Sequence, residues 1–274
     1  MDGINMKIVL CQNDIVWEDK LTNHAKVSAL LKIMGTPKLC NGALIVLPEM
    51  CSTGFSMNVP LICEGSESLT EKFFAELARR YQACVVGGVV NACSSGPKGL
   101  NQSLAIGPDG AQLARYSKMQ PFTLSGEAAC YAAGERPALF EFGGFKIAQF
   151  VCYDLRFPEL FRRAALLGAQ LFTVIANWPL PRDAHWTALL RARAIENQAY
   201  VVGVNRCGRD PKYVYPGRSI VVDPKGEIIL DAGGGEHVVG VEVSLKPLLD
   251  YRREFPALGD MRPEFSAFLQ ALNV

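Results

Sequence analysis

The sequence lacks a marked excess of either charge, because 28 Lys and Arg residues face 27 Asp and Glu residues for a formal net charge of +1. It also has no long block of Lys and Arg. A nucleic-acid-binding protein is therefore not expected, since its affinity depends on neutralising phosphates. No apolar run reaches membrane-spanning length, and the amino terminus has neither the basic start nor the apolar core of a signal peptide. We expect a cytoplasmic protein that does not bind membranes.

Metal-binding and disulfide patterns are also missing. The nine cysteines include no Cys-x-x-Cys pair, and only three histidines are present, so a zinc site is not expected. An odd number of cysteines, several inside apolar runs, argues against a disulfide framework and favours a reducing compartment. The sequence indicates no metal and no cofactor.

The composition is that of one catalytic domain over residues 1–274, because 49% of the residues are apolar and no linker interrupts the chain. Apolar strand-like runs alternate with amphipathic stretches, which is typical of an α/β layered fold. The predicted strands are Lys7–Cys11, Ala43–Leu47, Ala83–Val90, Gln102–Ile106, Phe145–Val151, Leu171–Ile175, Tyr200–Val204, Ser219–Val222 and His237–Val243. The predicted helices are Leu69–Tyr81, Pro158–Leu167 and Asp183–Asn197. Two segments, 103–110 and 219–226, each contain a Ser, an apolar run and a Pro-x-Gly turn, which predicts a hairpin at each.

The most informative segment is residues 150–159, Phe-Val-Cys-Tyr-Asp-Leu-Arg-Phe-Pro-Glu, in which an apolar run ends on Cys152 and turns into a helix. Such a turn exposes a nucleophile at the carboxyl edge of a sheet and leaves the first helical N–H groups free to face an oxyanion. A single cysteine is more often a buried packing residue. Whether Cys152 is a nucleophile or a packing residue therefore depends on which residues could activate it.

Two further segments supply such partners. Glu49 ends the apolar run Ala43–Leu47 after Pro48, and Lys118 follows a short strand-like stretch behind a Pro-Asp-Gly turn. Together with Cys152 they resemble the Glu-Lys-Cys triad of the nitrilase superfamily of carbon–nitrogen hydrolases, in the same order along the chain. The resemblance continues through Asn177-Trp178-Pro179 and the Arg-Ala-Ile-Glu-Asn run at 193–197. It implies a four-layer α-β-β-α sandwich, a small-molecule amide substrate and a homo-oligomer.

The chemistry that we expect follows from the needs of a thiol, which is mostly protonated at neutral pH. Glu49 would take the Cys152 proton as the thiol attacks a carbonyl carbon, and Lys118 with the backbone N–H of Tyr153 would stabilise the oxyanion. A second carboxylate usually assists in the superfamily shortly after the lysine. Glu127 is the matching position, and Glu135 is its rival on spacing.

The substrate pocket is less well defined by the sequence. Asn177 and Trp178 end an apolar strand and should reach the same sheet edge as Glu49, although Trp178 would equally suit a core position. Phe122 is the last residue of the segment 119–122, which departs from the superfamily pattern, and we expect it to affect the substrate pocket. Asp154 and Arg156 are expected in the internal polar network of the elbow, with Arg156 turned away from the substrate.

Amide hydrolysis is favoured over nitrile hydrolysis, because true nitrilases generally have Trp and Glu where this chain has Tyr153 and Asp154. The combined motifs look most like the omega-amidases, which hydrolyse 2-oxo dicarboxylic acid monoamides such as alpha-ketoglutaramate. Such a substrate would need an Arg or Lys clamp that the sequence does not identify. The enzymatic alternatives are an N-carbamoyl amidohydrolase, an aliphatic amidase and a nitrilase. A Cys-His mechanism through His185 and an inactive scaffold protein are weaker alternatives.

Overall fold

Two six-stranded sheets form the centre of the structure, a computed structural model that describes residues 3–65, 67–94 and 96–265. The first sheet contains β1 (Asn5–Gln12), β2 (Leu44–Val46), β3 (Cys84–Ala92), β4 (Gly99–Ile106), β5 (Gln112–Ser117) and β14 (His237–Ser244), in the spatial order β14-β1-β2-β3-β4-β5. The second contains β6 (Leu139–Phe142), β7 (Phe145–Val151), β8 (Leu171–Ala176), β9 (Tyr200–Asn205), β12 (Ile220–Val222) and β13 (Ile228–Asp231), in the order β13-β12-β9-β8-β7-β6. A separate hairpin joins β10 (Cys207–Arg209) to β11 (Val214–Pro216).

Helices cover the outer faces of both sheets. They are α1 (Lys20–Leu30), α2 (Thr36–Cys40), α3 (Val59–Ile62), α4 (Leu69–Tyr81), α5 (Glu127–Cys130), α6 (Pro158–Leu166), α7 (Asp183–Asn197) and α8 (Leu245–Glu254), with a π-helical turn at Leu31–Gly35 after α1. Single 3₁₀ turns occur at Thr123–Ser125, Cys152–Arg156 and Leu180–Arg182. Within the described part of the chain, none of these helices is long and apolar enough to cross a membrane.

The strand pattern explains why the two sheets pack face to face. Ile8 and Leu10 of β1 belong to the core that includes residues of both sheets, whereas Val9 and Cys11 pack with α1 and α4 on the outer side. This alternation follows from the two-residue period of a strand, and both faces of β1 are buried. The expected four-layer α-β-β-α sandwich is confirmed.

Helix α4 shows the local reasons for one covering layer. Its buried side chains include Phe73, Phe74, Leu77 and Tyr81, the spacing of one helix face. The Ser68 hydroxyl accepts a hydrogen bond from the Glu71 backbone N–H at the amino-terminal end, a cap that stabilises a helix by about 1 kcal/mol.

The predicted elements agree with the structure to within a few residues at their ends. Both predicted hairpins are present, as β4–β5 and β12–β13. The strand predicted over Ala43–Leu47 is confined to Leu44–Val46, because Pro48 has no N–H with which to continue the ladder. Strands β6, β10, β11 and β13 and helices α1, α2, α3, α5 and α8 were not predicted individually. The termini of the predicted domain, residues 1–2 and 266–274, lie outside the described residues.

Candidate active site

Cys152 begins the 3₁₀ turn that connects β7 to α6. Its backbone φ is 48°, in the left-handed region that few residues other than glycine adopt. A residue held in this conformation at a sharp turn often marks a functional site, because the surrounding structure must stabilise it. The predicted strand-to-helix elbow is therefore present, and the thiol lies in the wall of a pocket.

Glu49 lies just beyond the carboxyl end of β2 and is fully buried. One carboxylate oxygen, Oε1, accepts hydrogen bonds from Asn101 Nδ2 at 2.7 Å and Lys118 Nζ at 3.1 Å. The other, Oε2, accepts the Asn177 backbone N–H at 2.8 Å. Since Asn177 follows β8 of the second sheet, Glu49 connects the two sheets at the site.

The close approach of the Glu49 segment to β3 requires a glycine at position 88. A Cβ atom at Gly88 would lie 2.1 Å from the Met50 backbone nitrogen and 2.6 Å from the Glu49 carbonyl carbon. Both distances are far below van der Waals contact, and backbone cannot move aside as a flexible side chain can. Gly88 thus permits the position that Glu49 adopts.

Lys118 follows β5 and is held by two carboxylates. Its Nζ lies 2.8 Å from Glu127 Oε2 and 3.0 Å from Glu127 Oε1, in addition to its contact with Glu49. Glu127 is fully buried and also accepts the Phe122 backbone N–H at 2.6 Å. Glu135 is exposed, and no contact joins it to Lys118 among the described residues. The structure thus brings Glu127 to the lysine and leaves Glu135 outside.

Asn101 was missed by the sequence analysis. Its Nδ2 donates to Glu49 Oε1 at 2.7 Å and to Glu127 Oε1 at 2.8 Å, so it bridges the two carboxylates. A signal was available, because Asn101 lies near the start of β4. An antiparallel strand begins at the edge where its neighbour ends, so this residue had to lie near the ends of β3 and β5.

The charged groups in this cluster shift the pKa values of one another. Burial raises the pKa of Glu49, but Lys118 and the hydrogen bonds from Asn101 and Asn177 outweigh it, so the pKa is lowered overall. For Lys118, burial favours the neutral amine, yet Glu49 and Glu127 raise its pKa well above the ordinary value. Desolvation and the Glu49 carboxylate together raise the pKa of Cys152, and Lys118 only partly opposes them. The resting site is therefore a protonated thiol beside an ionised carboxylate.

A cavity of about 260 Å³ opens over Cys152. All four residues predicted to bind substrate line it, namely Phe122, Tyr153, Asn177 and Trp178. The remaining lining residues are Phe55, Leu124, Cys152, Arg156, Pro179, Arg182, Tyr213 and Tyr215. Aromatic rings dominate this lining, which includes two arginines and no acidic side chain.

The expectation that Arg156 turns away from the substrate is wrong, because Arg156 lines the pocket. Its guanidinium lies over the Trp178 ring at 4.8 Å from the centroid, and the Arg182 guanidinium lies over the Phe122 ring at 5.5 Å. No carboxylate pairs with either guanidinium among the described residues. Cation–π contact orients such groups while leaving their N–H edges available to an anion. No sequence pattern located these two arginines around one cavity.

His185 does not form a pair with Cys152. Its Nδ1 lies 3.3 Å from Arg156 Nη2, and His185 is absent from the pocket lining. No contact between His185 and Cys152 occurs in the described part of the chain. A Cys-His arrangement is therefore not present.

Comparisons with known proteins identify relatives of this chain. The carbon–nitrogen hydrolase family model matches residues 7–253. Omega-amidase YafV of Yersinia enterocolitica is 38% identical over 260 residues, covering 93% of this chain and 96% of the relative. The 2-oxoglutaramate amidase of Bacillus subtilis is 32% identical, covering 81% and 85%. A carbon–nitrogen hydrolase superfamily protein of Xanthomonas campestris, solved with an arsenic adduct in its active site, has a TM-score of 0.87 at 33% identity, covering 94% and 97%.

Proposed function

This chain belongs to the carbon–nitrogen hydrolase family, and from that premise we propose that it is an omega-amidase that hydrolyses its substrate through a thioester on Cys152. The observation that carries the proposal is the convergence of Glu49, Lys118 and Glu127 behind a cysteine mounted on an elbow in a pocket wall. A base, a cation and a nucleophile at one site are the groups that acyl transfer requires.

In the first half-reaction, Sγ of Cys152 forms a bond to the amide carbonyl carbon. Its proton passes to Glu49 during the attack rather than before it, because the raised pKa of the thiol and the lowered pKa of Glu49 disfavour prior transfer. The negative oxygen receives stabilisation from Lys118 and from the backbone N–H of Tyr153, which as a first-turn N–H has no intrahelical acceptor. Glu49 then protonates the amine as the C–N bond breaks, and ammonia leaves.

The second half-reaction reverses the role of Glu49. A water molecule gives a proton to Glu49 and attacks the thioester carbon, the C–S bond breaks, and Glu49 returns the proton to Sγ. The products are a carboxylic acid and the free thiol. Throughout both steps, Glu127 compensates the buried charge of Lys118 and fixes its position, with contacts of 2.8 and 3.0 Å.

The substrate class follows from the relatives and from the charge of the pocket. Two relatives are named omega-amidase and 2-oxoglutaramate amidase. The pocket has two arginines without carboxylate partners and no acidic lining residue, so it favours an acyl chain that ends in a carboxylate. A 2-oxo dicarboxylic acid monoamide such as alpha-ketoglutaramate has this chemistry, with Arg156 and Arg182 as the clamp that the sequence left unidentified.

Three broader predictions accompany this function; the first two rest on composition and cysteine pattern, and the third on the family resemblance. Residues 1–274 would form one catalytic domain, the protein would act in the cytoplasm, and it would assemble as a homo-oligomer. Sedimentation analysis tests the last of these directly.

The first experiment measures ammonia release from alpha-ketoglutaramate, an N-carbamoyl amino acid, a neutral aliphatic amide and a nitrile. Cys152→Ala is compared with wild type and with Cys93→Ala, which changes a partly exposed cysteine that does not line the pocket. We expect turnover of alpha-ketoglutaramate that Cys152→Ala abolishes and Cys93→Ala retains, with both variants folded by circular dichroism. Cys152-dependent turnover of another panel compound instead would assign a different substrate class to the same mechanism. Undiminished activity of Cys152→Ala would overturn the mechanism.

A further inference from the structure

The nucleophile and the lysine come from different sheets. Cys152 follows β7 of the second sheet, whereas Lys118 follows β5 of the first. A reacting group displaced by about 1 Å can cost about 100-fold in rate. Some contact must therefore hold the elbow against the lysine segment, and the Asp154 carboxylate makes such a contact.

Asp154 is fully buried and accepts three hydrogen bonds from three parts of the chain. Its Oδ2 accepts the Tyr116 hydroxyl of β5 at 2.8 Å and the Val151 backbone N–H of β7 at 2.9 Å. Its Oδ1 accepts the Gln120 backbone N–H, two residues after Lys118, at 2.9 Å. The carboxylate therefore links the residue before the nucleophile to residues on both sides of the lysine.

The ionised carboxylate accepts all three hydrogen bonds at once. All three are donors in this arrangement, and two are backbone N–H groups that cannot accept a proton. A protonated Asp154 would place its own O–H among donors and lose acceptor capacity. The charged and titratable groups that act on Asp154 are Tyr116 on β5 and Lys118 behind β5. From α7, the Arg193 guanidinium donates to the carbonyl of the adjacent residue, Leu155, at 2.8 and 3.1 Å.

We propose that the ionised Asp154 is a positioning residue for catalysis, which fixes the Cys152 elbow against the Lys118 segment and loses that hold on protonation. It acts through its hydrogen bonds and does not touch the substrate, since it is absent from the pocket lining. The inference rests on the proposed hydrolysis at Cys152 and adds a group outside the triad to it.

The inference has a measurable consequence for pH dependence. Burial raises the pKa of Asp154 to about 7, although the positive charge of Lys118 and the three hydrogen bonds that Asp154 accepts oppose the rise. The active, ionised form is therefore lost as pH falls through about 7. The triad would titrate elsewhere, because the pKa of Glu49 is lowered while those of Cys152 and Lys118 are raised. An acid limb of kcat near pH 7 thus reports on Asp154.

Three variants test the proposal by kcat, KM and the pH profile of kcat. Asp154→Asn removes the charge at constant shape, and Tyr116→Phe removes one donor and leaves the carboxylate in place. Ser103→Ala is the matched control, because the Ser103 hydroxyl donates to Gln149 Oε1 at 2.8 Å between the same two sheets but makes no contact with the elbow. Thermal unfolding of each variant separates a loss of stability from a loss of positioning.

We expect Asp154→Asn to lower kcat by about 100-fold with KM nearly unchanged, and to abolish the acid limb. Tyr116→Phe should lower kcat by about threefold and move the limb to higher pH, because the lost hydrogen bond favoured the ionised form. Ser103→Ala should leave both kcat and the limb as in wild type. A shift of the limb is a result that a purely structural role would not produce.

Two results would overturn the inference: wild-type kcat with an intact acid limb in Asp154→Asn, or an unmoved limb in Tyr116→Phe. If Asp154→Asn does not fold, Tyr116→Phe decides the question. If wild type releases ammonia from no panel substrate, the proposed function fails, and the same comparison is made on the rate of Cys152 alkylation by iodoacetamide against pH. An alkylation profile that is identical in wild type and Tyr116→Phe would then contradict the inference.

Discussion

The two sheets contribute different kinds of residues to the candidate active site. The first sheet and its loops supply Glu49, Lys118, Glu127 and Asn101, all buried and joined by hydrogen bonds of 2.7 to 3.1 Å. The second sheet and its loops supply Cys152, most of the aromatic lining and the two arginines that have no carboxylate partner among the described residues.

Apart from Cys152, this difference separates the residues expected to move protons and stabilise charge from the residues expected to select the substrate. A buried cluster whose charges compensate one another tolerates little change, because removing one member leaves another charge buried without its partner. Arginines at the wall of an open pocket can change with a smaller structural penalty. We therefore expect substitutions in the buried cluster to lower kcat, and substitutions in a second group, the two pocket arginines, to raise KM.

The strongest test of this comparison is Glu49→Gln. The amide cannot act as a proton acceptor in either half-reaction, so kcat should fall by about 10²–10⁴-fold, the usual contribution of general acid–base catalysis. Steady-state kinetics on alpha-ketoglutaramate, with Cys152→Ala as the blank, give the value. A change confined to KM would show that Glu49 only shapes the pocket.

Glu127→Gln is expected to have an intermediate effect. Glu127 is one of the groups that raise the pKa of Lys118, so its loss should weaken and misorient the ammonium without removing it. We expect kcat to fall by about 10-fold to 100-fold, less than or similar to the loss of one oxyanion donor. Glu135→Gln, at an exposed position, is the control and should match wild type. The reverse order of effects would assign the second carboxylate to Glu135.

Arg156→Gln tests the second group. Loss of a charge-assisted hydrogen bond to the substrate carboxylate should raise KM for alpha-ketoglutaramate by about 10-fold to 100-fold and leave kcat nearly unchanged. Turnover of the neutral aliphatic amide, where detectable, should not change. An equal effect on charged and neutral amides would exclude a carboxylate clamp at Arg156.

Arg182→Gln should have the smallest effect of these substitutions. The Arg182 guanidinium lies 5.5 Å from the Phe122 ring centroid, farther than Arg156 lies from Trp178 at 4.8 Å, so it is held less closely at the pocket wall and should contribute less to binding. We expect KM for alpha-ketoglutaramate to rise by about threefold. A rise larger than that of Arg156→Gln would make Arg182 the principal carboxylate ligand.

Much of the site was predictable because chemistry-bearing residues end apolar runs. Glu49, Cys152 and Asn177 each follow an apolar strand, and the carboxyl ends of parallel strands meet at one edge of a sheet. Asn101 was missed because it lies near the start of its strand, where its relation to that edge depends on the antiparallel pairing of β3 with β4. Arg156 was wrongly predicted to turn away from the substrate, because its position in a short helical turn does not reveal the direction of a long side chain.

The sequence alone predicted most of the strands in their order, the elbow at Cys152, and Glu49 and Lys118 as its partners, because these depend on local residue patterns and on a resemblance that extends along the chain. The tertiary structure decided that Glu127 rather than Glu135 contacts Lys118, and that Asn101 and Asp154 join segments distant in the chain. It also decided that two arginines face one cavity. These relations are set by how two sheets pack against each other, and no local pattern in a single strand or helix carries that information.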